Sequence, residues 1–168
     1  MSEIIVLRGN SGSGKTTVAK AVRKRLSPAI LLSQDNIRRE ILQLKDGAES
    51  AIVVNEINLA IVKIGLKRNF NIIIEGIFAR KYYGEFFEKL YEINPKTRFY
   101  YFDIPFAETL LRHMTKPNSR SFGEAEMRRW FNAKDFLGGK IREKIVNETM
   151  NFESIVETIV RDVTECRK

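Results

Sequence analysis

Short apolar runs alternate with longer amphipathic segments along the chain. Four runs are rich in β-branched or aromatic residues and predict buried strands, at residues 3–8, 29–33, 71–75 and 98–103. A weaker pattern predicts a fifth strand near residues 143–148. Because the four strong runs are almost continuously apolar, they favour a parallel sheet that is covered on both faces. The sequence therefore predicts an α/β fold with three layers, around a central parallel sheet of about five strands.

The segments between the strands carry apolar residues at helical spacing. One helix follows the first strand and ends before Pro28. Further helices are predicted at residues 36–44, 51–68, 81–92 and 124–137, and the last begins after Asn151, which can cap it.

Two of the predicted helices have an apolar stripe on one face. In the helix over residues 51–68, the stripe consists of Ile57, Ile61 and Ile64. In the helix after the fourth strand, it consists of Phe106, Leu110 and Met114.

The segment after the first strand matches G-x-x-x-x-G-K-[ST] in full. Glycines at these positions let the backbone amides surround an anion at the start of a helix. Such a loop binds a nucleoside triphosphate, with the lysine on its β- and γ-phosphates and the hydroxyl of Thr16 on Mg²⁺. The residues predicted to bind ATP are Gly9, Asn10, Ser11, Gly12, Ser13, Gly14, Lys15, Thr16 and Thr17.

Three classes of protein share this loop: GTPase switches, ATPase motors and small kinases. The nearest match to the guanine motif [NT]-K-x-D, at residues 115–118, lacks its aspartate and follows a helix. Motor ATPases are generally longer and obtain arginines from partner subunits. A chain of 168 residues with an internal basic segment therefore favours a kinase that supplies its own arginines.

The charge of the chain suits partners that bear phosphate groups. The sequence holds 29 Lys and Arg against 21 Asp and Glu, a net charge of +8. Residues 110–145 hold nine basic and four acidic side chains, although a solvated helical surface would give the same excess.

The rest of the composition places the chain in a broad class. A single cysteine, Cys166, excludes an internal disulfide framework. No apolar stretch approaches the roughly 20 residues that cross a bilayer, and no basic segment precedes the first apolar run. We expect one domain over residues 1–168, located in the cytoplasm and without a membrane partner.

Asp35 follows the second predicted strand, about twenty residues beyond the lysine of the loop. In a parallel sheet this position faces the ligand site. A carboxylate there can accept the proton of an attacking hydroxyl, and Arg38, one helical turn later, can hold a phosphate group. Asp35 is also suited to cap a helix, and the two interpretations are compatible.

The strand, the loop and Asp35-x-x-Arg38 together resemble the 5′-hydroxyl kinase domain of phage-type polynucleotide kinase. More widely, the sequence resembles small P-loop kinases of the AAA_33/zeta-toxin-like group, including chloramphenicol phosphotransferase and gluconate kinases. The resemblance is strong over residues 3–45 and continues as topology to about residue 130. It implies that Asp35 is the general base, that Lys15 and Arg38 are catalytic, and that ATP and Mg²⁺ are bound.

The resemblance also implies a mobile lid, here residues 112–130, whose arginines hold the triphosphate. Arg112 and Arg120 are the favoured ATP ligands and Arg128 is the next candidate, with a solvated side chain as the alternative for each. Closure of such a lid excludes water and limits hydrolysis of ATP.

Two acidic residues end predicted strands beside the loop. Glu75 occupies the place of a Walker B acid and can position Mg²⁺ through a water or bind the acceptor. Asp103 is more typical of a helix cap.

Three aromatic residues after the third strand, Phe78, Tyr82 and Tyr83, are candidates for the wall of the acceptor pocket. Trp130 and Phe131 are more typical of the core, although they could stack on a base. His113 has no partner at metal-ligand spacing and is interpreted as a lone helix residue.

The sequence thus predicts an ATP-dependent phosphotransferase acting on a hydroxyl. A small neutral acceptor, such as a sugar or antibiotic, is favoured because no segment is available to hold a polymer. A nucleotide or nucleic-acid 5′-hydroxyl stays an alternative, as does an ATP-binding regulatory or toxin-like module.

Overall fold

The computed structural model describes residues 2–115 and 122–165. Its strands form one sheet in the order β2-β3-β1-β4-β5, and all four neighbouring pairs are parallel. The strands are β1 (Ile4–Gly9), β2 (Ala29–Ser33), β3 (Asn71–Gly76), β4 (Arg98–Phe102) and β5 (Glu143–Val146). The α/β fold and the five parallel strands that the sequence predicts are confirmed.

Helices cover both faces of the sheet. They are α1 (Lys15–Arg25), α2 (Ala48–Lys67), α3 (Arg80–Ile93), α4 (Phe106–Met114), α5 (Glu124–Trp130) and α6 (Phe152–Glu165), with a π-helix at Asn36–Ile41. Side chains of β1 alternate between two cores: Ile4 and Val6 pack with α2 and α3, whereas Ile5 and Leu7 pack with α1 and α6. This alternation gives the three predicted layers. No helix within residues 2–115 and 122–165 is long and apolar enough to cross a membrane.

The buried faces of two helices differ from those that the sequence predicts. In α2, Ile57 and Ile61 are partly buried, but Ile64 is 62% exposed and the innermost positions include Asn58 and Gly65. A Cβ atom at Gly65 would lie 2.4 Å from Ile72 Cδ1, so the glycine allows the helix to approach β3. Small and polar residues, rather than isoleucines, thus occupy the closest contact with the sheet.

In α4, Met114 is 66% exposed, while Thr109 and His113 are buried. The helix that Phe106, Leu110 and Met114 predict is confirmed, although its buried positions are others. Thr109 faces the phosphate loop, where close backbone contact takes the place of apolar packing.

Two predicted helices have other bounds or another form. The helix predicted over 124–137 ends at Trp130, because the next residues are extended and bond to other segments. The helix predicted over 36–44 is a π-helix ending at Ile41, in which the amide of Leu42 donates to the carbonyl of Ile37. The last helix is as predicted, with Asn151 Oδ1 accepting from the amide of Ser154 at 2.8 Å.

Strand order brings the candidate residues together at the carboxyl edge of the sheet. β1 lies between β3 and β4, and the register pairs Leu7 with Glu75 and Glu75 with Ser33. The phosphate loop after β1, Asp35 after β2 and Glu75 in β3 therefore lie along one edge, where parallel sheets bind ligands.

Candidate active site

The phosphate loop curls between β1 and α1. Gly9, Gly12 and Gly14 have φ angles of 144°, 79° and 95°, in a region that residues with a Cβ rarely adopt. Lys15 is 6% exposed, and its Nζ donates to the carbonyl of Asn10 at 2.7 Å and to Ser13 Oγ at 3.1 Å. The ammonium thus lies inside the loop, where a phosphate would meet it.

Replacing Gly12 by alanine is expected to disturb this loop. A Cβ at Gly12 would lie 2.3 Å from the carbonyl oxygen of Thr109 in α4, and its φ is positive. The close contact and the positive φ both disfavour a side chain at this position. We therefore expect a loss of about 1–3 kcal/mol in the free energy of unfolding, measured by denaturant titration. Gly47→Ala is the matched control, because no atom lies within 4 Å of its added Cβ. Equal stability of the two variants would contradict the close contact.

Thr16 and Glu75 form the oxygen pair beside the loop. Thr16 Oγ1 donates to Glu75 Oε2 at 3.0 Å, and Glu75 is 4% exposed. A hydroxyl and a carboxylate are ligands that suit Mg²⁺, which keeps several waters and also binds phosphate oxygens. Within the described residues no group of three or more His, Cys, Asp or Glu could hold a metal by itself. The pair therefore fits a metal that is held jointly with a phosphate.

Asp35 is bound by two guanidinium groups. Its Oδ1 accepts from Arg38 Nη2 at 3.2 Å and lies 3.3 Å from Arg39 Nε. Its Oδ2 accepts no hydrogen bond from any described residue. Although Asp35 precedes the π-helix, its side chain makes no capping hydrogen bond, so the capping interpretation finds no contact to support it. Arg38 and Arg39 follow Asp35 by three and four residues, the spacings at which side chains meet on a helical surface.

Two cavities adjoin at Asp35. The phosphate cavity, of about 240 Å³, is lined by the loop, Glu75 and Asp35. The acceptor cavity, of about 420 Å³, is lined by Asp35, Arg38 and aromatic residues of the segment after β3. Five residues line both cavities: Ser11, Asp35, Arg39, Ile77 and Phe122.

The aromatic wall of the acceptor cavity is held rigidly. Gln34 Nε2 donates to the hydroxyl of Tyr83 at 2.7 Å, and Gln34 Oε1 accepts from the amide of Phe78 at 3.1 Å. Burial raises the pKa of Tyr83, so its hydroxyl stays protonated at neutral pH. Phe78, Tyr82 and Tyr83 all line this cavity, as the sequence suggested, although Phe78 is fully buried.

The candidate lid arginines have different surroundings. Arg112 Nη1 donates to the carbonyl of Ser13 at 3.3 Å, while its Nε donates to Glu108 at 2.6 Å. Arg128 pairs with Glu124 and lies over Phe106, away from both cavities. Arg129 lines the acceptor cavity, and Arg120 falls outside the described residues. Of the three arginines named from the sequence, only Arg112 is found at the loop within the described part of the chain.

Some residues at the site were missed by the sequence analysis. His113 is 3% exposed, stacks on Phe122 with ring centroids 4.3 Å apart, and lines the phosphate cavity, so it is not a lone helix residue. Asn10 exchanges two 2.8 Å hydrogen bonds with the backbone of Asn132, which joins the loop to the segment after α5. No motif points to His113, which stands alone, or to Asn132, which is far from the phosphate loop in sequence. Arg39 could have been predicted, because it is adjacent to Arg38.

Arg8 is buried next to the loop. Its guanidinium donates to the carbonyl of Phe78, to Asp135 and to Glu143, and lies over the ring of Tyr101. Arg8 thus joins β1 to the wall of the acceptor cavity and to the segment after α5. A single charged residue in an apolar strand gave no sequence signal for this role.

Comparison with known proteins identifies the family. The AAA_33 model, described as an AAA domain, matches residues 4–136, so the chain belongs to this family. No curated protein matches the sequence.

Solved structures with a similar fold cover almost the whole chain. A sugar kinase from Janibacter sp. HTCC2649 is 17% identical with a TM-score of 0.71, over 97% of this chain and 95% of that one. An APS kinase from Mycobacterium tuberculosis, in complex with AMPPNP and APS, is 16% identical with a TM-score of 0.71, over 96% and 97%. A gluconokinase from Sinorhizobium meliloti 1021 is 17% identical with a TM-score of 0.60, over 98% and 93%. The fold is that of the small P-loop kinases.

Proposed function

We propose that this protein is an ATP- and Mg²⁺-dependent phosphotransferase that moves the γ-phosphate to a hydroxyl acceptor. The observation that carries the proposal is the meeting of two cavities at Asp35, one at the phosphate loop and one beyond it. A phosphoryl group must pass in line between two oxygens, and two adjoining cavities provide a place for each reactant. The sugar, APS and gluconate kinases of similar fold support the same class of reaction.

The loop and two basic side chains would bind the triphosphate. Loop amides surround its oxygens, and the ammonium of Lys15 exchanges its present contacts with Asn10 and Ser13 for phosphate oxygens. Arg112 lies 3.3 Å from the carbonyl of Ser13, so its guanidinium can join the same phosphates. These cations stabilise the charge that spreads over the phosphate during transfer.

Thr16 and Glu75 would hold Mg²⁺, which would supply positive charge to offset that of the phosphates. Thr16 would contribute its hydroxyl. Glu75, buried beside it, accepts a hydrogen bond from that hydroxyl and orients it.

Asp35 would act as the general base. Its Oδ1 is occupied by Arg38 and Arg39, which orient the carboxylate. Its Oδ2 takes the proton of the acceptor hydroxyl while that oxygen attacks the γ-phosphorus and ADP leaves. The cavity beyond Asp35, of about 420 Å³, supports a small-molecule acceptor.

The predicted lid, residues 112–130, would close over both ligands; its residues 116–121 fall outside the described part of the chain. Phe122 lines both cavities and stacks on His113, so its ring would help to exclude water from the reacting groups. Dependence on ATP favours the cytoplasm as the location of the single domain.

Lys15→Ala is expected to weaken ATP binding by about 10- to 100-fold, because a charge-assisted contact with the phosphates is lost. The measurement is calorimetric titration of ATP with Mg²⁺ into each protein. Lys20→Ala is the control, since Lys20 is an exposed residue of the same helix that lines neither the phosphate nor the acceptor cavity. If wild-type protein does not bind ATP, or if Lys15→Ala binds it equally well, the nucleotide site is wrong. Transfer of the γ-phosphate is tested with γ-labelled ATP and a set of hydroxyl acceptors.

A further inference from the structure

The acceptor cavity carries an excess of positive charge. Five cationic and two acidic side chains line it: Arg38, Arg39, Lys45, Lys81 and Arg129, against Asp35 and Asp46. Arg38 and Arg39 are paired with Asp35, and Arg38 lies 3.9 Å from Asp46. The two acids therefore compensate only the cations nearest to the reacting centre.

Three cations of the cavity, Lys45, Lys81 and Arg129, form no ion pair with a described residue. All three are exposed and line the acceptor cavity without lining the phosphate cavity. They consequently lie on the side of Asp35 that is away from the phosphates of ATP. These three cations are therefore not needed to bind the triphosphate. They can bind a negative group of the acceptor that lies away from the hydroxyl that reacts.

The start of α3 concentrates positive charge at the same wall. The helix begins with Arg80 and Lys81, has no acidic residue in its first turn and no side-chain cap. Asp135 accepts from the amide of Arg80, but the amide of Lys81 has no acceptor within the described residues. The carboxylate of Asp135 lies at the first amide of the helix, so the positive charge that this end of α3 adds to the cavity is that of the Lys81 side chain.

Two partly exposed rings face the same space. Tyr82 is 40% exposed beside Lys81, whose ammonium lies 4.6 Å from the ring centroid. Trp130 is half-buried beside Arg129 and packs edge-on against Phe122. Each ring thus has a cation of the same cavity over it, an arrangement that suits a ligand with a planar ring and a negative charge.

We propose that the hydroxyl acceptor carries an anionic group and a planar ring, as a nucleoside monophosphate does. The proposal rests on the phosphotransferase function and replaces the neutral acceptor that the sequence favours. Lys81 and the other exposed cations of the cavity bind the anion, while Tyr82 or Trp130 stacks on the ring. The 5′ end of an oligonucleotide presents the same chemistry, and the experiment separates the two sources.

The test compares acceptors that differ separately in charge and in ring. γ-Labelled ATP is offered with glucose, glucose 6-phosphate, cytidine, the 3′- and 5′-monophosphates of cytidine, and a 5′-hydroxyl oligonucleotide. We expect kcat/KM for at least one cytidine monophosphate to exceed that for cytidine and for glucose 6-phosphate by about tenfold or more. A higher value for the oligonucleotide would assign the same site to the end of a strand.

The variant Lys81→Ala tests whether Lys81 is responsible for the preference for a charged acceptor. It is expected to raise KM for the preferred charged acceptor about tenfold with little change in kcat, because it removes binding that is equal in the ground and transition states. Lys81→Arg should restore most of the affinity. Lys89→Ala, at an exposed position of α3 that does not line the cavity, is the control and should behave as wild type.

The outcomes separate this inference from the proposed function. Equal transfer to glucose or cytidine would overturn the inference and leave the phosphotransferase in place. If nothing is labelled, calorimetric titration of the cytidine monophosphates decides. If a cytidine monophosphate binds to the wild-type protein and binds more weakly to Lys81→Ala, the charged site is supported and the proposed transfer reaction is wrong. If no cytidine monophosphate binds, the inference is refuted.

Discussion

Asp35→Asn is expected to lower kcat for phosphoryl transfer by about 10²- to 10⁴-fold, the range typical of a lost general base. The amide keeps the size of the side chain and can still accept from Arg38 or Arg39 through its oxygen. It cannot accept the proton of the acceptor hydroxyl. Since Asp35 is more than half exposed, we expect little change in the free energy of unfolding. The measurement is a steady-state assay with γ-labelled ATP, together with ATP titration to show that the nucleotide still binds.

Asp103→Asn is the matched control. Asp103 follows β4 at the same edge of the sheet but lines neither the phosphate nor the acceptor cavity. Its variant should retain kcat within about twofold, because it touches no reacting group. An Asp35→Asn protein that keeps more than a tenth of the wild-type kcat would show that another group, or the substrate itself, takes the proton.

Local signals in the sequence predicted the frame of this site well. The four strong strands were found because a strand buried on both faces must be almost continuously apolar. The phosphate loop was found because its glycines and its lysine are adjacent in sequence and the chemistry depends on their spacing. Asp35 and Glu75 could be named because parallel strands end at the same edge.

The acceptor side could not be predicted in the same way. Lys81, Arg129 and Trp130 reach one cavity from α3 and α5, which are far apart in sequence. The segment after α5 was mistaken for a continuation of the helix, because its contacts with Asn10 and Tyr101 leave no periodic pattern. Which charged side chains line a cavity depends on the tertiary structure. The composition therefore showed that the chain is basic, but not which basic residues line the acceptor cavity.

The buried arginine of β1 is a further case of information that only the tertiary structure holds. Arg8 has no exposed surface, and its Nη1 and Nη2 lie 3.0 Å from Glu143 Oε1 and 2.5 Å from Asp135 Oδ2. The Glu143 side chain is 3% exposed and also accepts from the amide of Leu137 at 2.7 Å. The guanidinium also binds the carbonyl of Phe78. Its hydrogen bonds thus link three separate segments of the chain.

Arg8→Met is expected to lower the free energy of unfolding by about 3–5 kcal/mol, because it leaves a buried carboxylate without its counter-charge. Urea titration followed by circular dichroism measures the loss. Adding Glu143→Gln to the variant should recover part of it, since the buried negative charge is then absent.

Arg128→Met is the surface control for the buried arginine. Its partner Glu124 lies 2.6 Å away, but both side chains are more than half exposed, so the loss should stay within about 1 kcal/mol. If Arg8→Met costs no more than Arg128→Met, or if adding Glu143→Gln recovers nothing, the buried charges are compensated without Arg8. The expected large difference between the buried and exposed pairs would instead show that the buried guanidinium of Arg8 compensates the carboxylates of Asp135 and Glu143.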